Sequence, residues 1–287
     1  SEYFKTVSES AQRGTEDAWK YCSAVYKMRV VEIRARHIKG CMEEGVATVR
    51  GRKQTPSATM KNKIKTLFNQ MLDYAVEYEL VDRNYSRTFN LTDETIKEIR
   101  NVKKEHIPFT DEEMQLLWKH VDDKRCVDVL LVQCGWRPQE LGLIKLENVD
   151  LNNWIFRGGM KTEAGEDRAV PIHSRIRHLI ERKYKEAQEL GSLYLFNYVD
   201  PTLRSKNITL NYNRYQKAFE RIRIELNLNP DHRPHDGRKH FVTMAKKYGV
   251  DEYAIKYMVG HKISDITEKV YTEREFQWLR EEIEKIK

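Results

Sequence analysis

The sequence lacks the features that mark membrane, secreted and zinc-stapled proteins. No apolar run approaches the ~18 residues that a membrane span requires. No charged segment followed by an apolar stretch indicates a signal peptide. The cysteines form no CxxC pair, which argues against a disulfide scaffold or a cysteine zinc site and predicts reduced thiols in a cytosolic protein. They are Cys22, Cys41, Cys126 and Cys134.

The composition is that of a folded, basic protein. Of the 287 residues, 40% are hydrophobic and 33% are charged, which is too apolar for a disordered chain. At ~100–200 residues per domain, this length favours two domains. The formal net charge of +7 favours a polyanionic partner without identifying it.

A domain boundary is expected at about 105/106, between a charged stretch and the new start IPFTD at 107–111. The segment 1–105 has 20 basic and 15 acidic side chains, whereas 106–287 has 31 and 29. Most of the positive excess therefore belongs to the first part.

Two stretches contain no acidic residue at all, between Glu44 and Asp73 and between Asp200 and Glu220. Such stretches suit phosphate contacts, and Tyr212 and Tyr215 are interleaved with the second. An ordinary solvated helix face is the alternative for either stretch. The basic residues that we expect to contact nucleic acid are, in these stretches, Arg50, Arg52, Lys53, Lys61, Lys63, Lys65, Arg204, Lys206, Arg214 and Lys217, together with Lys239 further along the chain.

The first part is predicted to be helical, with segments at about 16–31 and 33–44. A further helix is expected to be capped by Thr55, with Pro56 at its first position, and to run to about residue 80.

The second part is predicted to be mixed, which makes the chain mainly α with a small β-hairpin (α+β). Thr110 and Glu113 form a capping-box pattern, and Pro138 suits a helix start. Residues 154–157 and 168–172 are typical of hairpin strands around the turn 158–165. Helices are expected at about 174–190, 211–226, 237–248 and 251–259.

The last segment carries apolar residues at the spacing of a helix seam: Phe276, Leu279, Ile283 and Ile286. This face could pack on its own domain or dock on a neighbouring copy.

Three clusters in the second part could do chemistry. The first is GWRPQEL at 135–141, in which Arg137 stands at a helix start that favours anions, with Glu140 one turn away. The second, RPHDGRKH at 233–240, holds His235, Arg238 and Lys239 in a segment dense in hydrogen-bond donors. A zinc site there has no HExxH or Cys/His pattern to support it.

The third cluster is Gly260-His261, followed ten residues later by Tyr271. A tyrosine can form covalent intermediates when its surroundings activate it. Taken alone, each cluster has an ordinary structural interpretation, such as a surface arginine or a packed tyrosine.

In this order, the clusters resemble those of the tyrosine recombinases, the phage integrase family. The motifs are GWRPQELGL (135–143), MKT…RAVPI (160–172), PHDGRKHF (234–241), GHK (260–262) and VYT (270–272). The resemblance covers the whole second part, 106–287. The first part resembles, less closely, the helical core-binding domain of this family. The His-to-Tyr spacing is similar to that of integrases of conjugative transposons.

The chain departs from the family pattern at two positions. Gly237 stands where leucine is usual, with the expected effect of loosening a helix start, and Lys239 stands where histidine is usual. The small arm-binding domain that many such integrases carry first is absent from the sequence. Together with the start at Ser1, this suggests a trimmed or partial chain.

The resemblance implies that Tyr271 attacks a DNA phosphodiester and forms a 3′-phosphotyrosyl link, so that rejoining needs no ATP. Arg137 and Arg238 would neutralise the charge that gathers on the phosphate oxygens.

The remaining roles are also those that the resemblance implies. Lys161 would be the general acid for the leaving 5′-oxygen, and His235 would be the acid/base for the tyrosine. His261 would bind the phosphate, and Glu140 would orient His235 or an arginine. Because arginines neutralise the charge, neither a metal nor another cofactor is expected.

The partners implied are double-stranded DNA with specific core or attachment sites, further copies of the chain from dimer to tetramer, and an excision factor. No membrane partner is expected, and the location implied is the bacterial cytoplasm, at the nucleoid. The apolar seam would then be exchanged between neighbours. The alternatives are a type IB topoisomerase, a hairpin telomere resolvase and a DNA-binding protein that kept the fold without catalysis.

Overall fold

The computed structural model describes residues 7–49, 51–102, 105–160, 165–199, 208–265 and 276–287. Within these ranges the chain is mainly helical, with two small antiparallel sheets, which confirms the predicted fold class. It divides into two compact units, Ser1–Glu105 and His106–Lys287. None of the helices described here has both the length and the apolar character needed to cross a membrane.

In its described part, the first unit consists of helices and one β-hairpin. These elements are α1 (Glu9–Trp19), α2 (Ala35–Glu43), β1 (Ala47–Val49), β2 (Arg52–Gln54), α3 (Ala58–Glu77) and α4 (Asp93–Val102). The long helix α3 packs against α1 and α2. Its apolar side contributes Ile64, Phe68 and Leu72 to a buried core, which Ala18 and Ile38 complete from the other two helices.

Two helix boundaries in this unit differ from the predicted ones. The helix expected at 16–31 begins at Glu9 and ends at Trp19. Beyond its end, the hydroxyl of Tyr26 donates to the carbonyl of Trp19 at 2.9 Å. Val30 and Val31 therefore lie outside this helix. Both are β-branched, and β-branching slightly lowers helix propensity.

The predicted cap of α3 is also wrong. Ser57, not Thr55, is the N-cap, and its hydroxyl accepts from the backbone N–H of Met60 at 3.3 Å. Pro56 therefore precedes the cap. The hairpin β1–β2, with Lys53 opposite Thr48, was not predicted either.

The second unit joins helices to one three-stranded sheet. The helices are α5 (Asp111–Lys119), α6 (Lys124–Val132), α7 (Pro138–Leu141), α8 (Arg177–Glu189), α9 (Tyr212–Glu225), α10 (Asp236–Lys247), α11 (Glu252–Val259) and α12 (Phe276–Ile283). The strands are β3 (Val149–Asp150), β4 (Ile155–Gly158) and β5 (Arg168–Pro171), in the order β3-β4-β5. The antiparallel pair β4–β5, with Phe156 opposite Val170, confirms the predicted hairpin.

Helix α6 is central to the second unit, because every residue from Cys126 to Val132 is buried. Helices α9 and α10 both pack on it. The predicted capping box precedes this helix at α5, where Thr110 and Glu113 satisfy each other's backbone N–H groups. The chain leaving α6 enters the turn that leads to Arg137, so the core fixes the start of the candidate site.

The C-terminal helix α12 packs on its own unit in this single chain. Ile283 is 1% exposed, Leu279 and Ile286 contact the same core, and the helix lies against β5. Glu284 accepts hydrogen bonds from the backbone N–H and the hydroxyl of Ser174, at 2.9 and 2.6 Å. This is the intramolecular alternative, and exchange between copies stays a prediction.

Candidate active site

A tight turn positions Arg137 at the start of α7. Gly135 has φ +86°, and a Cβ there would lie 2.9 Å from the ring of Phe241. Pro138 occupies the first helical position, as predicted. The carboxylate of Glu140 accepts from the backbone N–H of Arg137 at 3.1 Å and from its Nη1 at 2.6 Å. Glu140 therefore fixes both the backbone and the guanidinium of Arg137.

Glu140 lies at the centre of a buried hydrogen-bond network. Its side chain is 0% exposed, and it also accepts from Nη2 of Arg168 at 2.8 Å and from the N–H of Met160 at 3.3 Å. Burial alone would raise the pKa of Glu140, but the hydrogen bonds from Arg168 and Arg137 outweigh it and lower the pKa. The carboxylate is thus ionised. The expected role of orienting an arginine matches this geometry, although Arg168 was not among the predicted residues.

Arg238 joins the Arg137 turn to the end of α11. From the first turn of α10, it donates through Nη1 to the carbonyl of Gly135 at 2.6 Å and through Nη2 to that of Val259 at 2.5 Å. Burial lowers the pKa of Arg238 to about 10, and the positive charge of Arg137 contributes to the shift. The guanidinium remains protonated at neutral pH, held by two backbone carbonyls.

His261 follows the end of α11 directly. Gly260 adopts the left-handed conformation, with φ +65°, and the N–H of His261 donates to the carbonyl of Lys256 at 3.0 Å. Partial burial of the ring, and then the positive charges of Arg238 and Arg137, lower the pKa of His261. The residue is exposed, so a neutral imidazole faces solvent beside the two arginines.

His235 stands at the N-cap of α10, the helix that carries Arg238. Its ring is tilted against those of His106 and Tyr212, with centroids 5.7 and 6.2 Å away. The next residue, Asp236, is fully buried and has two imidazole partners: Nδ1 of His106 at 2.6 Å and Nδ1 of His232 at 3.0 Å.

His232 also reaches a second carboxylate, since its Nε2 lies 3.0 Å from Glu113. Burial alone would lower the pKa of His232, but the bonds to Asp236 and Glu113 outweigh it and raise the pKa. Burial likewise opposes ionisation of Asp236, yet its bonds with His232 and His106 lower the pKa of that carboxyl. This network, which the sequence analysis did not predict, holds the turn on which His235 lies.

Position 237 explains one departure from the family pattern. A Cβ on Gly237 would lie 2.6 Å from Cγ1 of Val132 on the central helix α6. The helix start is retained, because α10 begins at Asp236. The expected loosening at Gly237 stays a prediction.

In the described part of the chain, some of the predicted DNA-contact residues are bonded to other groups of the protein, and others are exposed. Lys61 pairs with Glu43, Lys65 donates to the carbonyl of Ser86 at 2.6 Å, and Arg214 donates to that of Thr209 at 2.8 Å. Tyr215 is buried in the core and does not face solvent. The exposed residues are Arg52, Lys53, Lys63, Lys217 and Lys239.

Five predicted residues lie outside the described ranges: Lys161, Tyr271, Arg50, Arg204 and Lys206. Within those ranges, Arg137, Glu140, Arg238 and His261 belong to one neighbourhood, and His235 lies at the start of the helix of Arg238. The same ranges contain no group of three or more His, Cys, Asp or Glu side chains placed to hold a metal ion.

A sequence model of the phage integrase family matches residues 108–277, which is more than half of the chain. The chain belongs to the phage integrase family. This match includes each of the candidate catalytic positions, from Arg137 to Tyr271.

One curated relative is the tyrosine recombinase XerA of Thermococcus kodakarensis, 31% identical over 170 residues, which cover 57% of this chain and 55% of the relative. The chain spans about half the length of the curated relatives it matches.

Solved integrase structures share the fold. The Tn1549 transposon integrase, in complex with transposon right end DNA, gives a TM-score of 0.65 at 19% identity, over 98% of this chain and 95% of that one. The lambda integrase tetramer bound to a Holliday junction gives 0.64 at 12% identity, over 95% and 76%.

Proposed function

We propose that this chain is a site-specific DNA recombinase of the integrase type, which cuts and rejoins DNA through a 3′-phosphotyrosyl intermediate at Tyr271. The observation that carries the proposal is the pair Arg137 and Arg238, each held by groups of the protein itself: Arg137 by Glu140, and Arg238 by the carbonyls of Gly135 and Val259. Family membership supports the same chemistry.

Charge explains why this arrangement suits a phosphodiester. Arg137, Arg168 and Arg238 bring three guanidinium groups together, and Glu140 supplies one carboxylate to two of them. The excess of positive charge is left for an anion. As the tyrosine oxygen attacks phosphorus, negative charge gathers on the non-bridging oxygens, and preorganised donors stabilise it without having to reorganise.

The proton transfers complete the proposed reaction. The Tyr271 oxygen forms a bond to phosphorus while the bond to the 5′-oxygen breaks, and the tyrosine proton passes to His235. Lys161 protonates the leaving 5′-oxygen. His261, as a neutral imidazole, donates a hydrogen bond to the phosphate. Because the new ester conserves the energy of the old one, the reverse attack by a 5′-hydroxyl rejoins DNA without ATP.

The proposed partners are duplex DNA with specific core sites, further copies of the chain up to a tetramer, and an excision factor. The exposed basic residues Arg52, Lys53, Lys63, Lys217 and Lys239 support phosphate contacts, which make binding salt-dependent. The lambda integrase tetramer, with the same fold, is bound to a Holliday junction and supports assembly on DNA.

The test is to trap the covalent intermediate. The full chain is incubated with nicked duplexes that carry the end sequences of its mobile element, so that the cleaved fragment diffuses away. We expect a covalent adduct with the wild type and with the control Tyr248→Phe, and none with Tyr271→Phe. Absence of an adduct with the wild type would overturn the proposal, and an adduct that persists in Tyr271→Phe would overturn the assignment of the nucleophile.

A further inference from the structure

Arg168, the first residue of β5, uses each of its three guanidinium nitrogens inside the protein. Nε donates to the carbonyl of Met258 at 2.9 Å, Nη1 to that of Gly165 at 2.9 Å, and Nη2 to the carboxylate of Glu140 at 2.8 Å. The guanidinium carbon also lies 4.1 Å from the centre of the Trp136 ring, a cation–π distance.

These contacts reach three segments of the candidate site: the turn that carries Arg137, the hairpin at Gly165 and the end of α11. Trp136 immediately precedes Arg137, and Glu140 accepts a hydrogen bond from the guanidinium of Arg137. Gly165 borders the hairpin segment that contains Lys161, which itself lies outside the described residues. Met258 lies in the last turn of α11, just before Gly260 and His261.

Arg168 and Arg238 together fix the end of α11. The last carbonyls of a helix have no partner within the helix. Arg168 donates a hydrogen bond to the carbonyl of Met258, and Arg238 donates one to the next carbonyl, that of Val259. Since His261 follows within three residues, its position depends on both guanidinium groups.

Two glycines leave the space that Arg168 fills. A Cβ on Gly260 would lie 2.7 Å from Cα of Gly165 and 3.3 Å from Cδ of Arg168. A Cβ on Gly159 would overlap Nη1 of Arg168 and the carbonyl oxygen of Gly165. The side chain of Arg168 is 5% exposed, so it cannot contact DNA itself.

We propose that Arg168 is a positioning residue of the phosphoryl-transfer site: it aligns Arg137 through Glu140 and His261 through the end of α11, without touching the phosphate. This inference rests on the proposed function. A lysine at the same position would keep the positive charge but lose the planar fork that bonds three acceptors in different directions. Misplacement of a catalytic group by ~1 Å can cost about 10²-fold in rate.

The experiment compares Arg168→Lys and Arg168→Gln with the control Arg157→Lys, an exposed arginine on the paired strand β4. Adduct formation is measured in single turnover at saturating nicked duplex, together with duplex affinity and thermal unfolding. We expect both Arg168 variants to fold, to bind DNA with affinity within ~3-fold of wild type, and to cleave about 10²-fold more slowly. The control should cleave at the wild-type rate.

A merely structural role predicts a different result. It would lower the unfolding temperature and leave the rate per folded molecule unchanged, which would overturn the proposal. Failure of both Arg168 variants to fold would overturn it as well, because Arg168 would then belong to the fold and not to the alignment of the site. If the wild type itself forms no adduct, it is the proposed function that fails.

Discussion

Nδ1 of His106 lies 2.6 Å from Oδ1 of Asp236, although the two residues are 130 positions apart in the chain. His106 is the first residue of the second unit, and Asp236 is the neighbour of His235. The buried carboxylate also accepts from the backbone N–H of Arg233 at 3.0 Å. The beginning of the unit is thereby bonded to the turn from which both His235 and Arg238 project.

Replacing Asp236 with asparagine should destabilise the second unit. Loss of the charge takes the ionic partner of His106 away and leaves the buried His232 with Glu113 alone, which typically costs about 1–3 kcal/mol. We expect slower adduct formation as well. Urea unfolding measures the first effect, and Asp122→Asn is the control, because that side chain is 93% exposed in an ion pair with Arg182. Equal stability of the two variants would contradict this prediction.

His232 should make stability depend on pH. Its pKa is raised above the ordinary value of 6.5, so its contribution is complete below that pH and is lost as pH rises through the folded-state pKa. The difference in unfolding free energy between wild type and His232→Gln should therefore be larger at about pH 6 than at about pH 9. Glu113→Gln removes one of the two carboxylates and should give an intermediate slope. A difference that stays constant with pH would refute this role.

Substitutions at Gly237 and Val132 should have strongly coupled effects on the free energy of unfolding. Gly237→Ala places a methyl group against Val132 and should cost about 1–3 kcal/mol, the usual effect of overpacking. In a Val132→Ala background, the same change should be neutral or stabilising.

The control for this cycle is Gly40→Ala, on helix α2. A Cβ there meets nothing within 4 Å, so helix propensity alone should stabilise by about 0.5–1 kcal/mol. If Gly237→Ala stabilises the otherwise wild-type chain as much as Gly40→Ala does, the contact with Val132 is not the reason that glycine stands at position 237.

Lys161→Ala should slow cleavage by about 10²–10⁴-fold and leave duplex affinity nearly unchanged, because the leaving 5′-oxygen needs a proton. A substrate with sulfur as the 5′ leaving atom needs none and should largely restore the rate. Lys145→Ala, which removes an exposed lysine paired with Glu147 at 3.0 Å, is the control. Failure of the sulfur substrate to restore the rate would exclude Lys161 as the acid.

Removal of residues 276–287 should have two separable effects. The isolated chain should unfold at a lower temperature, because Ile283 and its neighbours cover the core beside β5. Strand exchange should be lost, while binding to a single DNA site persists, if the helix is exchanged between copies. Tetramer formation that is unchanged by the deletion would rule out that exchange.

Local patterns predicted the features that depend on neighbouring residues. The capping box of Thr110 and Glu113 and the helix start at Pro138 need only residues within one turn, and both are confirmed. The hairpin β1–β2 was missed because β2 is fully exposed and has no apolar alternation. The signal for Tyr215 was present and was misinterpreted: Tyr215, Ala218 and Phe219 recur at helical spacing on the buried face of α9.

The long-range contacts had no local signature. Arg168 and Glu140 are 28 positions apart, and their meeting depends on how the hairpin packs on α7. The motif order placed Arg137, Arg238 and His261 in one site, because a family resemblance carries spatial information that spacing alone does not. Apart from Glu140, which was expected to orient His235 or an arginine, it gave no indication of the groups that hold them, since those are fixed by packing.

The glycines of the site also constrain how the sequence can diverge. At Gly135, Gly159 and Gly260, a methyl group would overlap Phe241, the carbonyl of Gly165 and Cα of Gly165, respectively. Relatives that recognise other DNA sequences can therefore not acquire side chains at these positions without rebuilding the site. On the proposed function, adaptation to a new DNA target would proceed through exposed residues such as Lys217 and Lys239, whose replacement disturbs no buried contact described here.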